Sequence, residues 1–136
     1  MIKLTNEQIN EIIDSTKPHA KIVCDRTYQK VIQQIGNNDH FKTILDASFD
    51  KICDPLIDQM KQTFSKYFTE NKKSDISVGK IYEIFYNDQP VYQAPRGAGN
   101  TLSVVVLCTI QNSIKQAFVE KLAEYNGIDI SDIINY

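Results

Sequence analysis

The residues most open to a local chemical reading lie in Pro95-Arg96-Gly97-Ala98-Gly99-Asn100-Thr101, the one glycine-rich loop of the sequence. Amides freed at Gly97 and Gly99, together with the Arg96 guanidinium and Asn100, could cradle a phosphate or carboxylate. The spacing departs from a Walker A loop, which needs Gly-Lys-Ser/Thr, and from GxGxxG, which needs a third glycine. Arg96, Gly97, Gly99 and Asn100 are the candidate ligand-binding set. Loss of Arg96 would remove about 1.5–3 kcal/mol of binding to an anion held there. The plainer reading is a connection in which Asn100 or Thr101 caps the element that follows.

A second group is aromatic. Tyr82, Tyr86 and Tyr92, with Phe85 among them, form a candidate interface, since tyrosine is enriched where proteins meet. Exposed rings can also stack bases. However, residues 71–100 set Lys72, Lys73, Lys80 and Arg96 against Asp75, Glu83 and Asp88, a net charge of only +1, which argues against nucleic acid.

Other reactive types are scattered. His19 and His40 fall in separate segments, and five residues from His19 to Cys24 is a poor same-face interval, so neither a metal nor a cofactor is expected. Cys24, Cys53 and Cys108 all lie on or beside apolar stripes and read as core thiols rather than nucleophiles. Asp46, Asp50, Asp54 and Asp58 recur every fourth residue. If one helix ran through them they would make an acidic ridge, although like charges at that spacing repel. With Lys42, Lys51 and Lys61 nearby, a solvated face is the simpler account. No catalytic residue is assigned.

The elements that would carry these residues are mainly helical. Thr5 followed by Gln8 is a capping-box pattern, and Leu4 with Ile9 has staple spacing. Pro18 predicts a stop near Thr16. A second helix follows through Ala20, Val23, Cys24, Tyr28 and Ile35 until Gly36-Asn37-Asn38. Residues 39–70 are again helical, either as two helices meeting at Asp54-Pro55 or as one kinked helix. Glu70 to Asp75 (ENKKSD) holds no apolar residue and reads as a linker.

Residues 80–94 predict a β-hairpin turning at Asn87-Asp88, given Pro90 and the aromatic content. A helix is the rival, because Val78, Ile81, Tyr82 and Phe85 also step by three and four. Leu102 to Ile110, with three consecutive valines, predicts a buried strand. A helix follows and stops at Asn126-Gly127.

Composition bounds the rest. The chain has 136 residues, 42% apolar and 24% charged, with a net charge of −2. That fits a single domain over residues 1–136 and excludes disordered, collagen-like and cysteine-rich secreted classes. Three cysteines without a CxxC pair suit the reduced thiols of a cytoplasmic protein. Lys3, Glu7, Glu11 and Asp14 interrupt any apolar leader. The longest apolar run, Val104 to Cys108, falls far short of the roughly 20 residues that cross a bilayer. The expected fold is α+β and mainly helical, with a helical amino-terminal half on a small antiparallel sheet and a carboxy-terminal helix; an all-α bundle is the alternative. The expected function is a non-enzymatic intracellular module, a regulator or inhibitor, that binds a protein partner or its own copies. The alternative is a small-anion or nucleotide-binding protein, an enzyme included, acting through residues 95–101.

Overall fold

The computed structural model describes residues 3–36, 39–71, 75–88 and 101–127. Helices make up 93% of it, beside one small antiparallel sheet, so the fold is mainly helical. The elements in order are β1 (Lys3–Thr5), α1 (Asn6–Ile35), α2 (Asp39–Asn71), β2 (Asp75–Ser77), α3 (Val78–Asp88) and α4 (Thr101–Asn126).

The start of α1 is fixed by its cap. The Thr5 amide donates to Gln8 Oε1 at 2.7 Å, and the Gln8 amide donates to Thr5 Oγ1 at 3.2 Å. These bonds satisfy two donors that a helix end otherwise leaves orphaned. Leu4 and Ile9, at staple spacing, are both buried in the core. Gly36 ends the helix at φ 84°, with its amide bonded to the Ile32 carbonyl at 2.9 Å. Only glycine takes such a φ without strain.

The break expected before Pro18 does not occur, and at Pro55 the single-helix alternative holds. Helix α1 runs for 30 residues straight through Pro18, and α2 for 33 through Pro55. Each proline removes one helical bond, to the carbonyl four residues back. Pro18 and Asp14 are both exposed, as are Pro55 and Lys51, so each freed carbonyl lies on a wetted face where water can replace the lost donor. On the opposite face, Ile12, Ile13, Ala20, Val23 and Cys24 are all buried and hold α1 across the defect. Burial outweighs the local penalty.

Helices α2 and α4 flank α1. Asp14 pairs with Lys61 and Lys42 with Asp25, so α2 runs antiparallel to α1. Tyr125 meets Glu11 and Glu120 meets His19, so α4 does the same. One continuous core joins the helices. At its centre Phe118 of α4 stacks on Phe85 of α3 (4.3 Å between centroids) and on Phe64 of α2 (6.0 Å).

The first arm and turn of the predicted hairpin and the predicted strand over 102–110 are corrected, while residues 89–94, the hairpin's second arm, lie outside the described residues. Residues 80–88 belong to α3 and residues 102–110 open α4. In α3, Val78, Ile81, Ile84 and Phe85 are all buried. A strand would turn adjacent Ile84 and Phe85 to opposite faces, whereas a helix brings both to one core. Ser77 caps α3 by accepting from the Lys80 amide at 3.2 Å. In α4, Val106 and Ile110 are buried while Val104, Val105 and Cys108 are exposed, a four-residue step rather than alternation. The valines cost some helix propensity, but they extend a helix already held by Ile114, Ala117, Phe118 and Leu122.

The sheet lies elsewhere, between strands of three residues each. Lys3 pairs with Ser77, Leu4 with Ile76 and Thr5 with Asp75. Leu4 and Ile76 turn into the core, and Lys3 and Thr5 face solvent. Gly127 ends α4 as predicted, at φ 64°.

Candidate functional site

The acidic ridge does lie on one helix, and most of it meets α1. Lys17 Nζ reaches Asp54 at 2.6 Å and Asp50 at 3.1 Å. Lys21 reaches Asp46 at 2.8 Å, and Lys42 bridges Asp25 (3.0 Å) and Asp46 (3.1 Å). The hydrogen bonds to Asp54 and Asp50 raise the Lys17 ammonium to about 12. The bond from Lys21, joined by Lys42, lowers the Asp46 carboxyl. Between these pairs runs a groove of about 400 Å³ floored by Phe49 and Pro18. Two lysines and two aspartates line it, and the ridge fastens α2 to α1.

A second polar cluster joins α1 to α4. Glu120 accepts from Arg26 at 3.0 and 3.2 Å and from Gln116 at 2.8 Å, and shares a 3.1 Å hydrogen bond with His19. Burial alone would raise this carboxyl, but Arg26, His19 and Gln116 outweigh it and hold the carboxyl below its ordinary range. An imidazole beside a carboxylate is the pairing that orients a general base. Here the carboxylate already serves three partners, and the cluster acts as a fastening between helices. His40 stands apart, exposed at the start of α2. Among the described residues, no group of three His, Cys, Asp or Glu side chains is placed to hold a metal ion.

The cysteines divide. Cys24 and Cys53 are free and buried; burial pushes the Cys53 thiol up to about 12 and raises Cys24 too, against the Ser113 hydroxyl. Cys108, expected in the core, is free and exposed. Its neighbours form the feature that sets α4 apart. Val104 is 44% exposed and Val105 41%, on the water-facing side of the first turns. Asn112 is exposed one turn beyond Cys108. From Gly97 to Ile114 the chain carries no charged residue at all. The Thr109 hydroxyl donates back to the carbonyl of Val105 (2.8 Å), so it adds little polarity to this face. Among the described residues, α4 is also the helix long and apolar enough to cross a membrane, although Ile110, Ile114, Phe118 and Leu122 of the same stretch are buried in the protein's own core.

Of the predicted site residues, Arg96, Gly97, Gly99, Asn100 and Tyr92 lie outside the described residues. Tyr82 is half-buried and packs against the core. Tyr86 follows it by one turn of α3. In sequence the three valines suggest a buried strand and so hide the α4 face; the signal that marks it is the long uncharged run from Gly97 to Ile114. No family model matches the chain, and no curated protein or solved structure matches it at a significant level.

Proposed function

We propose that this chain is a non-enzymatic protein-binding module, a regulator or inhibitor by class, that engages its partner through the uncharged face of α4. The observation that carries this reading is the exposure of Val104, Val105 and Cys108 within a stretch free of charge. Apolar surface grouped on one helix face favours a covered state, and the centres of protein interfaces are depleted of charge in this way. The water-facing sides of α1 and α2 differ, being laced with lysine–aspartate pairs.

The test is a double variant, Val104→Lys with Val105→Lys. Lysine is a better helix former than valine, so α4 should keep its helicity by circular dichroism. A photo-cross-linking side chain placed at position 102, beside the face, should trap a discrete polypeptide adduct in cells making the otherwise wild-type chain. The adduct should be absent from the double variant. A diffuse adduct pattern unchanged by the lysines would overturn the reading.

A further inference from the structure

We infer that Pro18 and Pro55 form one hinge, about which residues 19–35 of α1 and 39–54 of α2 swing together as a single hairpin. The register of the ion pairs marks the place. In the outer part the two helices keep step: Lys17 meets Asp50, Lys21 meets Asp46 and Asp25 meets Lys42, so every four residues along α1 match four along α2. Tyr28 stacked on Phe41, at 5.8 Å between centroids, closes the outer end of this ladder. On the inner side of the prolines the match fails. Asp14 lies three residues before Lys17, yet its partner Lys61 lies eleven beyond Asp50 and seven beyond Asp54, the two carboxylates that Lys17 holds. That is a slip of about 6–12 Å along the axis. The one-to-one ladder ends at this level.

The defects of both helices meet there. Pro18 leaves the Asp14 carbonyl without its helical donor, and Pro55 does the same to Lys51. The two gaps, 14–18 and 51–55, are tied to each other by the Lys17–Asp54 pair at 2.6 Å. In the turn before Pro18 the Ser15 and Thr16 hydroxyls both donate to the Ile12 carbonyl, each at 2.8 Å. Such side-chain bonds compete with the helical ladder and bend helices, as prolines do. The groove walled by Lys17, Pro18, Phe49 and Asp50 opens at the same level, so the helices are not tightly packed on that side. Were one member of the pair intact, it would carry the other across its gap. Here the gaps face each other. Helix α4 crosses the level unbroken and serves as the pivot, with Glu120 holding His19 and Arg26 of the outer part and Tyr125 holding Glu11 of the inner part.

Residual dipolar couplings of the backbone amides, measured on the full chain in a weakly aligning medium, test the hinge. In the wild-type protein, residues 19–35 and 39–54 should share one alignment. Its magnitude should fall about a tenth below that of residues 6–13 and 57–70, the reduction that a swing of roughly 20° produces. Pro18→Ala and Pro55→Ala should each bring the two magnitudes together, since either restores one unbroken helix. Alanine is the better helix former, so both variants keep the fold. Equal magnitudes throughout the wild-type chain would overturn the hinge. Different magnitudes for the outer parts of α1 and α2 would overturn the single hairpin. A reduction that persists in both variants would overturn the prolines as its cause.

Discussion

Along α1, the seam to α2 carries its polar contacts at the wet edge, whereas the seam to α4 adds to the exposed Tyr125–Glu11 bond a cluster on one carboxylate that is only 23% exposed. The α2 seam repeats a simple unit: a lysine on one helix, an aspartate on the other, each well exposed. Coulomb attraction there is weakened by water and salt, and ordering two long side chains offsets much of the gain. The α4 seam has fewer charges and deeper burial, so each bond is stronger and each unmatched partner more damaging.

That contrast orders the effects of substitution. The largest belongs to the apolar centre that both seams depend on. Phe118 is fully buried and stacks on Phe64 and Phe85, so Phe118→Ala should lower unfolding free energy by about 3–5 kcal/mol in urea titrations. A loss below about 1 kcal/mol would mean that the three-ring stack is not the centre of the core.

Next comes Glu120→Gln, which keeps shape but removes the charge that Arg26 and His19 share. A loss of about 1.5–3 kcal/mol at neutral pH is expected. The pH profile sharpens the comparison. The Glu120 carboxyl is held below its ordinary value of 4.5, so its contribution is complete above that range and disappears as pH falls through its lower folded-state value. Acid unfolding curves of wild type and Glu120→Gln should therefore converge at low pH. Curves that stay parallel would remove Glu120 from the account.

The smallest effect is expected at the wet edge. Lys17→Met should cost under about 1 kcal/mol, despite two carboxylates within 3.1 Å, because the pairs are exposed. Its ammonium is raised to about 12, so what it does contribute is present at neutral pH and fades only as pH rises through that value. A penalty as large as that of Glu120→Gln would erase the distinction between the two seams.

Local signals announced the ends of elements well and their neighbours poorly. Thr5 with Gln8, Gly36 and Gly127 were each readable, because capping chemistry needs only residues a few positions apart. The mainly helical character was readable too. Pro18 misled, since the burial that holds α1 together comes from helices far along the chain. Val104 to Val106 misled for the converse reason: β-branching suggests a strand wherever a short run is judged without the helix it belongs to. Ser77, three residues before Lys80, was an available sign that α3 is a helix. The Glu120 cluster was not legible, because His19 and Glu120 stand 101 residues apart and neither lies in a motif. Strands of three residues leave no period to detect.

The pairing of Thr5 with Asp75 closes a loop of about 70 residues with three registered pairs. Loop-closure entropy must be overcome before so few contacts can repay it, whereas only three residues of sequence separate α1 from α2. Closing that loop therefore costs more than forming the contact between α1 and α2. The clasp gives the amino-terminal end of α1 and the start of α3 a common anchor.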